Sequence, residues 1–214
     1  MAIFQYGEEA LHYLKQKDSR LAAVIEQIGP IHRQIRPNVF SALIHSIVGQ
    51  QISSKAQETV WGRLESHFSE ITPESVLACP METLQNFGIT FKKALYIQKA
   101  AQSIESKQLD LTALCHMTDA EICQRLMALD GIGQWTAEML LLFSMQRPNI
   151  LSYGDLAIQR GLRMVYHHRK ITPALYQKYK RRYSPWGSVA SFYLWEVASG
   201  NIAGYRDYAP KGVK

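Results

Sequence analysis

Two glycines separated by one residue, Gly131 and Gly133, are the feature that most restricts how this chain can fold. Apolar residues recur at helical spacing on both sides, ending at Leu129 and resuming from Thr136. Glycine tolerates positive φ and brings bare backbone to a surface, so the pair predicts a tight turn between two helices. After a second turn, the pattern predicts a further helix from Leu156 onward.

A glycine-rich turn that opens a helix has a specific physical use. Its main-chain amides point outward and the helix adds the positive end of its dipole, so a phosphate can bind without a side chain in the way. Such a contact positions a protein on DNA but does not select a base sequence. The alternative is an ordinary connection between two packed helices, and the turn alone does not distinguish the two.

Helical patterns account for most of the remaining chain. The segment from Asn38 to Val48 places apolar residues on one face and begins with an N-cap residue. Thr72 before Pro73, and the capping box that begins at Thr118, mark two further helix starts. Other predicted helices span residues 8–15, 20–28, 55–67 and 95–104. We therefore predict an all-α fold.

Composition narrows the class of protein. A chain of 214 residues with 47% hydrophobic residues suits one domain, or two lobes, with a sizeable core. The net charge of +6 and the pI near 9.2 favour a polyanionic partner. No apolar run approaches the roughly 20 residues of a membrane span, and the first residues do not form an export signal. We therefore expect an intracellular protein, cytoplasmic in a bacterium or nuclear in a eukaryote.

Two segments carry a family resemblance. From Leu129 the chain reads LDGIGQWTA, which resembles the hairpin of the helix-hairpin-helix (HhH-GPD) base-excision DNA glycosylases, most closely the DNA-3-methyladenine glycosylase II branch. From His45 it reads HSIVGQQISSKAQETVW, which resembles the same branch. A terminal Pro-Trp motif is also similar, with Gly187 where the branch usually has arginine. The resemblance extends from about Pro37 to Gly200.

The resemblance implies a single glycosylase domain over residues 1–214, all-α and two-lobed, with a DNA-binding cleft between the lobes. One lobe would span about residues 37–125, and the other about residues 126–204 together with the arm 1–36. Several relatives hold an iron–sulfur cluster on four cysteines near the C-terminus. The last cysteine here is Cys123, so we expect no such cluster. The expected partner is double-stranded DNA with a damaged base, bound by a monomer.

Asp155 lies 22 residues after Gly133, where the family places its catalytic aspartate. The family loop usually has a proline and often an acidic residue before it, whereas this chain has Ser152, Tyr153 and Gly154. We expect Asp155 to be ionised, since an aspartate at a helix N-terminus accepts amide hydrogen bonds and meets the helix dipole. Such a carboxylate would stabilise the positive charge that develops on the sugar as the N-glycosidic bond breaks. From the residue alone, the alternative is a structural N-cap.

The base pocket is expected to be aromatic. Relatives that also cleave the strand have a lysine two residues after Gly133, where this chain has Trp135, so we expect a monofunctional enzyme that leaves an abasic site. Alkylated purines such as 3-methyladenine carry positive charge, which favours stacking on aromatic faces. The candidate pocket residues are Trp135, Trp195, Tyr153, Gln50 and Gln51. The alternative for the two glutamines is a plain polar turn.

The resemblance also assigns contacts with the DNA backbone and a wedge that fills the gap left by the flipped nucleotide. The hairpin candidates are Gly131, Ile132, Gly133, Gln134 and Thr136. The wedge-loop candidates are Thr90, Phe91, Lys92 and Lys93. Phe91 matches the wedge best, and the two lysines would neutralise flanking phosphates. The alternative is a buried Phe91 with two solvated lysines.

No redox or nucleotide cofactor is expected. In the family, the DNA-bound hairpin holds a monovalent cation through main-chain carbonyls, which would be those of Met127, Leu129 and Ile132. Two other functions stay open: a non-catalytic hairpin protein that only binds DNA, and a glycosylase for deaminated or oxidised bases. The basic residues at positions 178–182 are expected to form a solvated face, and residues 205–214 a loosely ordered tail.

Overall fold

A computed structural model describes residues 2–210, which contain twelve α-helices and one 3-10 helix at Ala113–His116. The α-helices are α1 Glu8–Lys17, α2 Ser19–Ile28, α3 Val39–Gly49, α4 Ser54–His67, α5 Pro73–Ala78, α6 Met81–Asn86, α7 Phe91–Glu105, α8 Asp119–Met127, α9 Gln134–Phe143, α10 Leu156–Tyr166, α11 Pro173–Tyr183 and α12 Gly187–Ser199. In this part of the chain, extended pairing is limited to one antiparallel bridge between Ile3 and Gln34. The predicted all-α fold is confirmed. None of the described helices has the length and apolarity needed to cross a membrane.

Local capping explains where several helices begin. The side chain of Asn38 accepts the amide of Ser41 at the start of α3, as predicted. Thr118 and Glu121 form the predicted capping box of α8, in which each side chain accepts the other residue's amide. Thr72 caps α5. These starts depend on residues within one turn of each other, so the sequence alone reveals them.

The helices form two compact units. The terminal unit combines Met1–Ile35 with Gln146–Lys214 and contains α1, α2 and α10 to α12. The middle unit is Arg36–Met145 and contains α3 to α9. The predicted lobes placed residues 126–145 with the C-terminal part of the chain, whereas the structure places them in the middle unit. The reason is that α9 buries its apolar face against α3 and α8.

In the terminal unit, α10 and α12 make the most extensive contact. A Cβ atom on Gly161 would lie only 2.3 Å from the carbonyl oxygen of Leu194, so glycine is what allows the two backbones to approach this closely. The buried rings of Phe192 and Tyr193 complete this core. The contact holds α10 firmly, and with it the residue that precedes its first turn, Asp155.

The C-terminal tail is more ordered than predicted over the residues that the structure describes. Asp207 accepts two hydrogen bonds from the guanidinium of Arg163, at 2.7 and 2.6 Å, and the ring of Tyr208 stacks on His167. Bidentate pairing of this kind fixes both partners. The last four residues of the predicted tail, 211–214, lie outside the described part.

In the middle unit, α7 packs against α3, α5 and α6, and α4 lies against α3. The core is aliphatic, with Leu43, Ile47, Leu84 and Ile97 among its fully buried side chains. This packing places the α6–α7 turn, the α3–α4 junction and the α8–α9 hairpin on one framework centred on α3 and α7.

Candidate functional site

The two hairpin glycines have different structural roles. Gly131 has φ +80°, and a Cβ atom there would lie 2.4 Å from a ring carbon of Tyr96, so both the backbone and the packing require glycine. Gly133 has an ordinary φ of −97°, and nothing lies within 4 Å of a Cβ built on it. The backbone of Gly133 therefore does not need glycine, and the absent side chain leaves open space at the start of α9.

The N-terminus of α9 has no side-chain cap, because Gly133 occupies the N-cap position. The first amides of a helix have no intrahelical partner, so this end can accept an external anion. Gln134 and Trp135 are exposed there, and the side-chain amide of Gln134 donates to the carboxylate of Glu138 at 2.8 Å. This geometry fits the predicted phosphate contact.

Two of the predicted hairpin residues can contribute only through their main chain. The side chains of Ile132 and Thr136 are buried, with 6% and 8% of their surface exposed. The amide of Ile132 already donates to the carbonyl oxygen of Leu129 at 3.2 Å. The amides that follow Gly133 are therefore the better candidates for a phosphate contact.

Hydrogen bonds from the side chains of Gln50 and Lys93, here called the brace, connect the hairpin to two neighbouring helices. The side-chain amide of Gln50 donates to the carbonyl oxygen of Gly131 at 2.8 Å. The ammonium of Lys93 in turn donates to the carbonyl oxygens of Gln50, at 2.6 Å, and Val48, at 2.8 Å. The brace joins the end of α3, the start of α7 and the hairpin.

The ammonium of Lys93 is therefore not free for the phosphate contact predicted from the sequence. It is half-buried, its ammonium is held by two carbonyls, and burial lowers its pKa. The sequence places it beside Lys92 with no signal to separate the two. The side-chain amide of Gln50 is likewise bonded to the hairpin. Gln51, in contrast, is exposed and has a left-handed φ of 57°.

The predicted wedge lies at the start of α7. Phe91 is 59% exposed, which excludes the buried alternative. Thr90 is the N-cap of α7 and accepts the amide of Lys93 at 3.4 Å, so it has a structural role. Lys92 is exposed, with its ammonium 5.7 Å from the centre of the Tyr96 ring. An exposed aromatic ring on a capped helix is what an inserted wedge requires.

Asp155 is the N-cap of α10. Its Oδ1 accepts the amides of Ala157 at 2.8 Å and Ile158 at 2.9 Å, and only 7% of its surface is exposed. These amides and the helix dipole stabilise a negative carboxylate and fix its orientation. The N-cap predicted as the structural alternative is thus present, and the same two hydrogen bonds fix the orientation of the carboxylate.

The loop before Asp155 is held by hydrogen bonds instead of the family's proline. The hydroxyl of Tyr176 donates to the carbonyl oxygen of Leu151 at 2.5 Å. The amide of Ile150 donates to Ser188 Oγ at 2.9 Å, and the hydroxyl of Ser191 donates to the Ile150 carbonyl at 2.8 Å. Helices α11 and α12 therefore fix this loop.

Two side chains beside Asp155 face solvent. Tyr153 is 36% exposed, with its ring 4.9 Å from that of Tyr176 between centroids. Leu156, the first residue of α10, is 79% exposed. Leu156 is not among the site residues predicted from the sequence, although helical spacing places it on the face opposite the buried Ile158 and Leu162. The exposed apolar side chain of Leu156 thus adjoins the buried carboxylate of Asp155 in the chain.

The tryptophans predicted for the base pocket occur in different units. Trp135 is 49% exposed at the first turn of α9 in the middle unit. Trp195 is half-buried on α12 in the terminal unit, with its ring 6.1 Å from that of Phe192. Their shared role in one pocket stays a prediction.

The cation candidates are main-chain carbonyls at the end of α8. Met127 is the last residue of α8, so its carbonyl is among the four that lack an intrahelical amide partner. The Leu129 carbonyl accepts one amide and has a second lone pair. Neutral oxygens of this kind suit a monovalent cation. Within residues 2–210, no three His, Cys, Asp or Glu side chains are grouped closely enough to hold a metal ion.

Comparison with known proteins gives the family. Residues 44–185 match the HhH-GPD superfamily of base excision DNA repair proteins. The chain belongs to this superfamily. The match contains the hairpin, the wedge loop, the Gln50 junction and Asp155, and the predicted resemblance is confirmed.

Similar members of the superfamily share one kind of name. The chain is 26% identical to DNA-3-methyladenine glycosylase 1 of Schizosaccharomyces pombe over 90% of its own length and 86% of that protein. It is 25% identical to the putative DNA-3-methyladenine glycosylase YfjP of Bacillus subtilis, over 90% and 71% of the two chains.

Solved structures with a similar fold carry the same kind of name. The crystal structure of DNA-3-methyladenine glycosidase from Bacillus halodurans superposes with a TM-score of 0.85 at 33% identity and covers 97% of both chains. The S. pombe enzyme Mag1 in complex with abasic DNA superposes with a TM-score of 0.77 at 25% identity, covering 89% of this chain and 97% of the other.

Proposed function

We propose that this protein is a monofunctional DNA glycosylase that removes alkylated purines from double-stranded DNA and leaves abasic sites. The observation that carries the proposal is the Asp155 carboxylate, fixed by two amides at the start of α10 in a member of a base-excision family. The names of the similar proteins support an alkylated base as the substrate. The enzyme acts as a monomer, inside the cell where its DNA substrate lies.

The chemistry follows from the charge that appears on the sugar. As the N-glycosidic bond breaks, its electron pair leaves with the base and the deoxyribose gains oxocarbenium character. The Asp155 carboxylate stabilises that positive charge and directs a water molecule to the sugar carbon. Its hydrogen bonds are already formed before substrate binds, so little reorganisation is needed in the transition state.

The leaving group explains why one carboxylate suffices. A purine alkylated at a ring nitrogen is a cation, and it leaves as a neutral base without prior protonation. The exposed aromatic face of Trp135 and that of Tyr153 are each suited to a cationic base by cation–π attraction. Trp135 also has no amine, so the position supplies no Schiff-base nucleophile for strand cleavage.

DNA binding is assigned to the hairpin and the wedge. The uncapped first turn of α9 receives a backbone phosphate, and Phe91 fills the space left by the flipped nucleotide. The main-chain carbonyls of Met127, Leu129 and Ile132 would hold a monovalent cation, which would supply positive charge that favours the phosphate.

The test uses the purified protein and duplex DNA treated with a methylating agent. We expect release of 3-methyladenine and 7-methylguanine, with strands that stay intact until hot alkali cleaves the abasic sites. Asp155→Asn is the matched control. Tight binding without base release by the wild type would identify a non-catalytic DNA-binding protein.

Two further duplex substrates separate the remaining alternatives. Release of uracil, hypoxanthine or 8-oxoguanine, without release of methylated bases, would assign the enzyme to deaminated or oxidised bases. Strand cleavage without heat or alkali would contradict monofunctional chemistry.

A further inference from the structure

The terminal unit contains a cavity of about 430 Å³ that takes no part in the proposed reaction. It is formed where the α1–α2 junction meets the end of α10 and the last turns of α11. Four of its lining residues are basic: Lys17, Arg20, Lys178 and Arg182. The volume lies within the range of small-molecule sites, roughly 300–1,000 Å³.

The acidic group in the wall, Asp18, is already fully engaged. Its Oδ1 accepts the amides of Arg20 and Leu21, both at 3.0 Å, and its Oδ2 accepts a hydrogen bond from Arg182. Asp18 is 5% exposed and caps α2. It therefore neutralises Arg182 and has little capacity to neutralise the other cations.

Three cations are left without a counter-charge. Among the described residues, Lys17, Arg20 and Lys178 have no carboxylate partner. The guanidinium of Arg20, which lines the cavity, donates a long hydrogen bond to the carbonyl oxygen of Val165 at 3.5 Å. The predicted solvated face at positions 178–182 is thus confirmed for Lys178, which is exposed and borders the cavity, and wrong for Arg182, which is half-buried and paired with Asp18.

His168 shows that these charges converge. It lines the same cavity, and its ring nitrogen bonds to the hydroxyl of Tyr179 at 2.7 Å. Burial lowers the pKa of His168, and the positive charges of Arg20 and Lys178 lower it further. Converging cations repel each other, so a bound anion would relieve an unfavourable interaction already present in the protein.

The cavity is remote from Asp155 within the terminal unit. Asp155 precedes the first residue of α10, whereas Tyr166, the last residue of α10, lines the cavity. The 11 residues of α10 span about 16 Å. The basic cavity is therefore a separate site from the proposed catalytic carboxylate.

We propose that this cavity binds a small anion with two or three linked phosphate groups, of the kind found in nucleoside diphosphates, nucleoside triphosphates and inorganic polyphosphate. Three uncompensated cations match the several negative charges of such a group. Arginine and lysine donors together bind phosphate oxygens in both bidentate and single contacts. A concave wall with buried tyrosines suits a compact anion better than the convex backbone of duplex DNA.

The experiment measures binding of tripolyphosphate to the full chain by calorimetry and by thermal melting. The double variant Lys17→Ala/Lys178→Ala removes two cavity cations. The control Lys15→Ala/Arg181→Ala removes the same net charge from exposed residues of the same unit that do not line the cavity. We expect the cavity variant to bind at least tenfold more weakly, and the control to stay within about twofold of wild type.

Melting supplies the second measurement. At 100 times its Kd, tripolyphosphate should raise the Tm of wild type and control by about 5 °C, and that of the cavity variant much less. Tighter binding of ATP than of tripolyphosphate would assign a nucleotide as the source, and equal binding would assign the polyphosphate group alone.

Two results would overturn the proposal. Equal affinity of all three proteins for tripolyphosphate would show only a general attraction to a basic surface. Loss of duplex DNA binding in the cavity variant, with no tripolyphosphate binding by wild type, would make the cavity a DNA contact instead. If the double variant melts below 37 °C, the single variant Lys178→Glu replaces it in both measurements.

Discussion

The starts of α9 and α10 use the same physical feature in opposite ways. Each helix follows a glycine-containing turn and presents free amides with a positive dipole. At α10, Asp155 fills that end with its own carboxylate, which accepts two amides. At α9, Gly133 contributes no side chain and leaves the amides uncapped. One end thus orients a negative group of the protein, and the other can receive a negative group of the DNA.

Under the proposed function, one backbone property serves both catalysis and binding. Eight of the described helices begin with a side-chain cap, so a cap is the usual arrangement here. The amides at the uncapped start of α9 can bind an external anion, whereas those at the start of α10 already hold the carboxylate of Asp155.

The largest effect is expected when the charge at α10 is removed. Asp155→Asn should lower the rate of base release by roughly 10²- to 10³-fold, because the electrostatic stabilisation of the sugar cation is lost. Asparagine caps a helix about as well as aspartate. The Tm and DNA affinity should therefore stay near wild type. Single-turnover excision and thermal melting measure both, and unchanged turnover would refute the catalytic role.

The next largest effect is expected when α9 is given an aspartate N-cap like that of α10. Gly133→Asp places a carboxylate where nothing obstructs a side chain, so it can cap the amides that would receive a phosphate. DNA binding should weaken by about 10- to 100-fold, since a charge-assisted hydrogen bond is lost and repulsion is added. The free energy of unfolding should rise by about a few tenths of a kcal/mol, which is the usual difference between an aspartate and a glycine N-cap.

Gly133→Ala is the matched control for that change. It adds a methyl group in open space without charge, and we expect only about a two- to threefold loss of affinity. Titration of several duplex sequences checks the result. An effect confined to one base sequence would contradict a phosphate contact.

A smaller effect is expected from the brace beneath the open helix end. Lys93→Met removes the hydrogen bonds to the Gln50 and Val48 carbonyls and should cost about 2 kcal/mol of stability, or several degrees in Tm. Lys92→Met makes the same charge change one residue earlier at an exposed position and should cost almost nothing. Equal melting temperatures for both variants would remove Lys93 from the brace.

The smallest effect separates the two glycines of the hairpin. Gly131→Ala should lose about 1–2 kcal/mol, because alanine resists a φ of +80° and its Cβ displaces the Tyr96 ring. Gly133→Ala should lose much less, since its φ is ordinary. Denaturant unfolding of both variants tests this, and similar losses would show that the turn, not the individual glycine, sets the stability.

Sequence reasoning succeeded where the determining residues are neighbours. The helix starts at Asn38, Thr72 and Thr118, and the cap formed by Asp155, each depend on groups within three residues. The hairpin motif is also local, whereas the match to the superfamily extends over residues 44–185.

Sequence reasoning failed where partners are distant in the chain. Lys93 contacts carbonyls 43 and 45 residues away, and Gln50 contacts one 81 residues away, so no local pattern distinguishes Lys93 from Lys92. The exposure of Leu156 has a different cause: it lies on the face of α10 opposite the buried Ile158 and Leu162, which helical spacing alone indicates.

The amino-acid sequence alone determined the helical segments, their caps, the family and the acidic residue best suited to the chemistry, because those depend on interactions within a few turns. Tertiary structure decided which glycine the hairpin turn requires, which lysine forms the brace and which basic residues line the cavity. These outcomes depend on packing between segments far apart in the chain, where each contact is set by the whole core and not by its neighbours in sequence.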